Sequence, residues 1–426
     1  MALTYVNASC HCGLNAFRVA FKTESLPITD DFCHCTTCRH VSGQLAIHQT
    51  SIFGPPLARE PSRRQSRSQS ASRSVSRQRS DEGLPQLNGS ANGNGNTTPA
   101  LLSPPTIEIT SAPDVPYDLS DLTKYETYSP NVTLYFCSSC SALLFWVPHR
   151  PFEKEEHWTV SVGALERTEG IINLGYHIWV GDTVDGGLAH HLRTVDGKQL
   201  TLFKEGPGSE KLPTGWTASE QPEQPGSEDD DVLHAHCHCG TIKFDITRPT
   251  EASTLPSAPY PDLLYSHSTS HLSKISNPQD EKWWLRPVDT PTPTKYLAGH
   301  CMCNTCRLTS GFEIQSWAFI PLANIVSPDT CIPLSLAEED RRPVGLKQYI
   351  ASTGKYRESC GKCGATVFSW QIDTPDLVSV SVGLLDDKNG ARAEDWLDWH
   401  TKRVSFKEKA VSQSIAKGLE DSMTTI

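Results

Sequence analysis

The stretch CHCTTCRHVSG, residues 33–43, recurs as CMCNTCRLTSG, residues 301–311. In both copies three cysteines fall within six residues, and an Arg and a Ser-Gly pair follow them at the same spacing. Closely spaced thiols of this kind suit a tetrahedral metal ion such as zinc. Two copies of one motif in a single chain indicate a tandem duplication.

The duplication extends outward from this motif in both directions. A C-x-C-Gly segment precedes each copy, a C-x2-C pair follows it, and Val-Ser-Val-Gly comes last. Only Cys331 has no counterpart, and we interpret it as a buried or spare thiol. The first repeat contains Cys10, Cys12, Cys33, Cys35, Cys38, Cys137 and Cys140, and the second contains Cys237, Cys239, Cys301, Cys303, Cys306, Cys360 and Cys363.

The length of 426 residues accommodates two or three domains, and the duplication favours two, each with its own core. We predict a first domain at residues 1–203 and a second at 232–426. Residues 204–231, which are rich in Pro, Gly, Glu and Asp, are predicted to be the linker between them.

Composition excludes several classes of protein. No run of about 18 apolar residues exists, so no transmembrane helix and no membrane partner are expected. The N-terminal residues lack a secretory signal, so we expect an intracellular protein, cytoplasmic or nuclear, in which disulfides are disfavoured and clustered thiols bind metal. The net charge of −11 argues against general nucleic-acid binding.

Residues 59–116 differ from the rest of the chain, since they run through Arg/Ser-rich, Gly/Asn-rich and Pro-rich segments. This composition predicts a disordered insertion in the first domain. The favoured interpretation is a solvated insertion; the alternatives are a phosphorylatable switch and a nuclear, RNA-associated segment. Residues 248–295 form a second insertion, and both are expected to be surface loops.

Short alternating segments dominate what remains of each repeat. Residues 17–21, 242–246, 159–162 and 379–382 alternate apolar with polar or small side chains, as half-buried strands do. Only residues 406–419 show helical periodicity. The fold class predicted from these patterns is mainly β, as two tandem zinc-binding domains.

The order of the cysteines predicts two kinds of metal site in each repeat. The outer pairs supply four thiolates to a closed structural site, whereas the middle motif supplies three and leaves one position open, as in catalytic zinc sites. Up to two zinc ions per domain follow. The closed sites are Cys10, Cys12, Cys137, Cys140 and Cys237, Cys239, Cys360, Cys363; the open sites are Cys33, Cys35, Cys38 and Cys301, Cys303, Cys306.

Other interpretations of these residues stay open. An unrecognised fourth protein ligand would make the three-cysteine sites purely structural, and an iron–sulfur cluster would need four ligands at other spacings. We expect His34 to be a surface residue because Met302 replaces it in the second repeat. His11 and His238 stand between ligands, where local geometry disfavours binding to the same ion.

These motifs, together with the segment STGKYRESCGKCG at residues 352–364, resemble the glutathione-dependent formaldehyde-activating enzyme family, which includes centromere protein V. The resemblance covers both repeats except their insertions. It implies a β-tent fold, a structural four-cysteine zinc, and a three-cysteine zinc near the glutathione site. The first repeat has SPNVTL at residues 129–134 where the second has STGKYR, so it lacks the Gly-Lys and the Arg.

The function that the resemblance implies is a carbon–sulfur lyase reaction. Glutathione condenses with formaldehyde to S-hydroxymethylglutathione, so a small thiol and an aldehyde are the expected partners. No catalytic residue is assigned; Arg39, Arg307, Ser42 and Ser310 are repeated polar neighbours of the open sites. The alternative is a non-catalytic zinc scaffold that binds partners through its insertions, where the Arg/Ser segment offers the one basic surface for nucleic acid.

Overall fold

The computed structural model describes residues 1–59, 114–127, 132–149, 157–218, 231–288 and 290–425. The chain divides into two units, Met1–Ala58 with Pro116–Ile426 and Arg59–Val115, and nearly all of the described residues belong to the first. The predicted disorder of residues 59–116 and the acidic end of the predicted linker fall almost entirely outside the described residues. The domain boundaries at 203 and 232 stay predictions.

The first unit is mainly β, as the alternating patterns predict. Helices are few and short: α1 (Thr36–Ser42), α2 (Gly187–His191), α3 (Leu272–Ile275), α4 (Asn304–Ser310) and α5 (Gln413–Met423). The strands that precede Cys237 are β1 (Leu3–Ser9), β2 (Ala16–Lys22), β3 (Ile28–Cys33), β4 (Gln49–Ser51), β5 (Leu57–Ala58), β6 (Leu122–Thr127), β7 (Val132–Cys137), β8 (Leu143–Pro148), β9 (Thr159–Ser161), β10 (Ile172–Ile178), β11 (Thr194–Val195), β12 (Lys198–Gln199), β13 (Thr201–Phe203), β14 (Lys211–Leu212) and β15 (Val232–His236).

The remaining strands belong to the second repeat: β16 (Lys243–Thr247), β17 (Leu285–Arg286), β18 (Lys295–Cys301), β19 (Gln315–Pro321), β20 (Ile325–Val326), β21 (Leu346–Ser352), β22 (Lys355–Cys360), β23 (Thr366–Gln371), β24 (Thr374–Ser381), β25 (Leu385–Asp386) and β26 (Leu397–Trp399). The two repeats pair their strands in the same way. In the first, β6, β7, β8, β9 and β4 form one antiparallel sheet, and β3 pairs in parallel with β10. In the second, β21, β22, β23, β24 and β19 follow the same order, and β18 pairs in parallel with β26.

The two repeats contact each other through the motifs that they share. The Val-Ser-Val-Gly segment of each repeat ends in a short 3-10 turn, Val162–Ala164 and Val382–Leu384. The backbone N–H of Gly163 donates to the carbonyl of Gly311 and that of Gly383 to the carbonyl of Gly43, both at 3.1 Å. The Ser-Gly end of each helix therefore lies against the Val-Ser-Val-Gly turn of the other repeat.

Glycine is required where these backbones meet. A Cβ at Gly163 would lie 2.5 Å from the carbonyl carbon of Gly311, and one at Gly383 would lie 2.2 Å from the carbonyl oxygen of Gln44. Gly43 and Gly311 also end their helices with φ of +75° and +82°. Because a side chain at any of these four positions would collide with backbone or strain it, the shared glycines serve the contact between repeats.

The buried side chains do not divide cleanly between the repeats. One large cluster contains Phe32 and Leu45 of the first repeat together with Phe244 and Phe368 of the second. The expectation of a separate core for each repeat is therefore too simple, since part of the core is common to both.

Residues 248–295 differ from the surface loop that the sequence predicts. Within this segment Trp284 is completely buried and Trp283 almost so, and both belong to the large cluster. This segment is buried because it contains tryptophans, whose indole rings remove a large apolar area from water when they pack. The insertion therefore completes the core of the second repeat instead of lying outside it.

The helix predicted near residues 406–419 is present as α5, which begins and ends a few residues later. The Ser412 side chain caps it by accepting from the Ile415 backbone N–H at 3.3 Å. Although α5 follows the second repeat, it packs on β11, and Gly418 faces the Thr194 carbonyl there. No helix among the described residues is long and apolar enough to span a membrane.

Candidate metal centres

The first four-cysteine group joins two distant segments of the first repeat. Cys10 and Cys12 follow β1, whereas Cys137 ends β7 and Cys140 lies in the next turn. The four sulfur atoms lie within 4.8 Å of one another, with Cys10–Cys12 and Cys12–Cys137 separations of 3.4 and 3.6 Å. Thiolates bound to a tetrahedral zinc at about 2.3 Å lie about 3.8 Å apart, so the group fits such an ion.

The second four-cysteine group, Cys237, Cys239, Cys360 and Cys363, has the same construction. Its Cys237–Cys239 and Cys239–Cys360 sulfur separations are both 3.5 Å. Backbone donors support the sulfurs in both groups: Asn15 N–H donates to Cys10 Sγ at 3.4 Å, and Ile242 N–H donates to Cys237 Sγ at 3.3 Å. Such donors favour the thiolate form that a metal ligand needs.

The two three-cysteine groups form where a strand leads into a helix. Cys33 ends β3, and Cys35 caps α1 by accepting from the Cys38 backbone N–H at 3.4 Å. In the second repeat Cys301 ends β18, and Cys303 caps α4 by accepting from the Cys306 N–H at 3.3 Å. The C-x-C-x2-C spacing thus places three sulfurs around one point, within 4.8 Å of one another in each group.

No fourth side chain completes either three-cysteine group within the described part of the chain. Every His, Cys, Asp and Glu there was a possible partner, and the two groups still contain only Cys33, Cys35, Cys38 and Cys301, Cys303, Cys306. Each of these two groups therefore offers three cysteines to a metal ion, and the open fourth position stays a prediction. All fifteen cysteines are free thiols, so none of these sulfurs is held in a disulfide.

One thiol in each three-cysteine group is already acidic. Hydrogen bonds from the Cys33 and Cys38 thiols lower the pKa of Cys35 to about 3. In the second repeat, hydrogen bonds from Cys301 and Cys303 lower the pKa of Cys306 well below its usual range, and the charge of Arg357 lowers it further. Each group thus holds a thiolate, and binding of a metal ion would release protons from the other two thiols.

Arg357 distinguishes the second three-cysteine group from the first. Its Nη2 atom donates to Cys306 Sγ at 3.5 Å, and its guanidinium lies 5.6 Å from the ring centre of Trp317. Trp317 is buried, and Phe319 and Phe406 pack beside it around the cysteines. The second group therefore combines three sulfurs, one cation and an aromatic wall.

The first three-cysteine group has no cation at the matching position. Leu134 pairs with Tyr125 in the first repeat as Arg357 pairs with Tyr349 in the second, and Leu134 is fully buried. The carboxylate near this group is Asp182, which accepts from the Thr36 backbone N–H at 3.2 Å. Burial raises the pKa of Asp182. The two groups thus differ in the charge that surrounds them.

The histidine within each C-H-C segment points toward the other repeat. His11 Nδ1 lies 2.9 Å from the Tyr349 hydroxyl, and His238 Nδ1 lies 2.7 Å from the Tyr125 hydroxyl. Neither histidine joins the sulfur groups, in agreement with the sequence argument. The backbone N–H of His11 donates to the Leu308 carbonyl in α4, and that of His238 donates to the His40 carbonyl in α1, both at 3.0 Å. Each histidine therefore lies beside the helix that carries the three-cysteine group of the other repeat.

His34 is not the surface residue that the sequence predicts. Its side chain is completely buried, and its Nε2 lies 2.8 Å from Nδ1 of His177. Burial lowers the pKa of both rings, to about 4 for His177. The replacement of His34 by Met302 is thus an exchange between two buried side chains, since Met302 is buried as well.

Cys331 also differs from one expectation, because it is exposed and adopts a positive φ of 55°. The repeated polar neighbours have structural partners. Ser42 and Ser310 donate to the carbonyls of Cys38 and Cys306 at 2.7 and 3.0 Å. Arg307 donates across the repeats to the Gly163 carbonyl at 2.6 Å. None of these side chains needs a catalytic role to explain its position.

Sequence reasoning missed the polar pairs that form between the repeats. His48 Nδ1 lies 2.8 Å from Glu313 Oε1, with both side chains buried, and they border a cavity of about 270 Å³. His191 Nδ1 lies 2.9 Å from His300 Nε2. Aligning the two repeats would have revealed that these histidines lack counterparts, but not which residues they face.

Comparison with protein-family models, with curated proteins and with solved structures finds no match for this chain.

Proposed function

We propose that this protein is a zinc-dependent carbon–sulfur lyase acting on thiol–aldehyde adducts, with its working centre at Cys301, Cys303 and Cys306. The observation that carries the proposal is the contact of Arg357 with Cys306 at a group of three thiols that no fourth protein ligand completes among the described residues. The motif resemblance supports zinc, a β-tent fold for each repeat, and glutathione and formaldehyde as the reactants.

The reaction proposed is the addition of a thiol to an aldehyde and its reversal. A bond forms between the glutathione sulfur and the formaldehyde carbon, and the C=O π electrons move to the oxygen. The thiol loses one proton and the oxygen gains one, so S-hydroxymethylglutathione forms without a further reactant. Zinc, when bound, supplies an open position at which the glutathione sulfur is held as a thiolate.

The residues of the second repeat suit this reaction in two ways. Three thiolates exceed the charge of a divalent ion, and the guanidinium of Arg357 beside Cys306 offsets the excess. Trp317, with Phe319 and Phe406, shields one side of the group from water, which strengthens these charge interactions. The first repeat has Leu134 in place of Arg357, so its group keeps the charge of Arg39 near Cys35 but lacks the guanidinium that Arg357 supplies in the second repeat.

The test is turnover of glutathione and formaldehyde by the purified, zinc-loaded chain, followed by NMR exchange between free and adduct signals. We expect exchange above the spontaneous rate and a loss of about 10–100-fold in Arg357→Leu, the range typical of residues that support metal ligands. Arg341→Leu removes an exposed arginine whose ion-pair partner among the described residues is Glu338, and it serves as the matched control.

Exchange at the spontaneous rate in a fully zinc-loaded protein would contradict the proposal and favour the non-catalytic scaffold. Catalysis that survives Arg357→Leu but disappears in Cys35→Ser would place the working centre in the first repeat.

A further inference from the structure

A fifth group of potential ligands lies outside the cysteine sites. It consists of His40 in α1, His236 at the end of β15 and Asp386 at the end of β25, so it draws on both repeats. His40 Nε2 lies 3.2 Å from Asp386 Oδ1, and His236 Nε2 lies 2.8 Å from Asp386 Oδ2. We propose that these three side chains bind a divalent first-row transition-metal ion that links the two repeats.

Hydrogen bonds at the far side of each ring determine how the rings can act. His40 Nδ1 lies 2.8 Å from the backbone carbonyl of His236, and His236 Nδ1 lies 3.1 Å from the carbonyl of Cys237. A carbonyl only accepts, so each Nδ1 must carry the hydrogen. Each neutral ring therefore presents an Nε2 lone pair, and a carbonyl partner of this kind is typical behind metal-binding histidines.

Both Nε2 atoms face the same carboxylate, which also only accepts when ionised. The Nε2 of His40 is buried and makes no hydrogen bond within the described part of the chain. Two ring nitrogens and one carboxylate thus converge on one point. A cation at this point satisfies all three.

The distances suit a metal ion. Ligands at about 2.0–2.1 Å from one ion, at tetrahedral or octahedral angles, lie about 2.9–3.4 Å apart, close to the observed 3.2 and 2.8 Å. The two imidazole rings are stacked with their centres 4.3 Å apart. This stacking holds both Nε2 atoms beside the same carboxylate.

The ligand types and exposure define what the site would take. Two imidazoles and one carboxylate suit zinc, iron(II) and cobalt(II) and leave positions for water or a small ligand. The His40 side chain is 2 % exposed, whereas His236 and Asp386 are 41 % and 39 % exposed, so an ion can enter from their side. His40 then acts as the rigid ligand at the base of the site.

Among the described residues this set of ligands occurs once, which provides its control. The corresponding positions of the other repeat are Leu308, Ser9 and Glu166, so two of the three residue types differ and a carboxylate is kept. Glu166→Gln is therefore the counterpart of Asp386→Asn at a place where Leu308 and Ser9 stand for the two histidines.

The experiment uses the full chain with its cysteine groups already loaded with zinc. After cobalt(II) is added and excess ion is dialysed away, we expect the unchanged chain and Glu166→Gln to retain one more ion than Asp386→Asn. The absorption of that cobalt should lack the thiolate charge-transfer band. Cobalt should also raise the thermal midpoint of the first two proteins by several degrees and leave that of Asp386→Asn unchanged.

His236→Gln is the second variant, because its side chain is partly exposed. Circular dichroism of both variants confirms folding. Equal cobalt content in all four proteins, or a thiolate charge-transfer band from the extra ion, would overturn the proposal.

Discussion

At the scale of single residues, the cysteines differ in whether their sulfurs join distant segments of the chain or lie within one short segment. Cys137 is completely buried and brings the end of β7 to the segment after β1, more than a hundred residues away in sequence. Cys35 is only partly buried, and its two partners lie within the same short segment, Cys33–Cys38. Loss of the first sulfur therefore frees distant segments, whereas loss of the second does not.

We predict that Cys137→Ser unfolds much of the first repeat and that Cys35→Ser keeps the fold. The binding free energy of a structural zinc is also folding free energy, so opening a closed site is severe. A serine at position 35 can still cap α1, since Ser is among the preferred N-cap residues. Thermal melting and zinc content measure both effects, with Cys360→Ser and Cys303→Ser as the matched pair in the second repeat.

A similar loss of thermal stability in Cys137→Ser and Cys35→Ser would show that the two kinds of site contribute equally to folding. The distinction between closed and open sites would then have no energetic basis.

At the scale of elements, the turns Val162–Ala164 and Val382–Leu384 carry the contact between repeats. We predict that Gly163→Ala and Gly383→Ala each lower the free energy of unfolding by about 1–3 kcal/mol or more, because the added methyl group meets backbone atoms that cannot move aside. A Cβ at these positions would lie 2.5 and 2.2 Å from the facing backbone. Chemical denaturation measures the change.

Gly206→Ala is the control for these variants, since a Cβ there meets nothing within 4 Å. Its stability should stay within about 0.5 kcal/mol of the unchanged protein. If all three variants were equally stable, the facing backbones of the two repeats would move apart at no cost in the free energy of unfolding.

At the scale of the whole molecule, the cysteine groups that could hold a metal ion followed from the sequence, whereas the relation between the repeats did not. The spacing around Cys33 and Cys301 is local, so it constrains the sulfurs directly. His48 and Glu313 stand far apart in sequence, and nothing in either segment indicates that they meet. The repeated Ser-Gly and Val-Ser-Val-Gly motifs can be read in the sequence, but only the structure shows that they contact each other across the two repeats.

The His48–Glu313 pair predicts a pH-dependent stability. Burial alone would lower the pKa of His48, but the charge and hydrogen bond of Glu313, with Asp30 and Asp31 nearby, raise it overall. A raised pKa in the folded state means that the stabilisation is complete below the unfolded value of about 6.5 and is lost as the pH rises through the folded pKa. Glu313→Gln should remove this pH-dependent stabilisation and lower the free energy of unfolding by about 3–5 kcal/mol below pH 6.5.

Thermal midpoints of both proteins from pH 6 to 9 check this, and the difference between them should shrink as the pH rises. Glu210→Gln breaks the exposed Lys204–Glu210 pair, 2.9 Å apart, and should cost about 1 kcal/mol or less. A difference between Glu313→Gln and the unchanged protein that grows with pH would contradict the assignment.

The reciprocal glycine contacts have the form of an isologous interface, in which the same patch of each partner meets the other. They describe how two separate copies of one ancestral chain would associate as a homodimer, and gene duplication with fusion preserves that association within one polypeptide. Fusion also frees the two halves to diverge. The two repeats now differ in ways that a homodimer of identical chains could not encode. Arg357 corresponds to Leu134, and the group of His40, His236 and Asp386 corresponds to Leu308, Ser9 and Glu166.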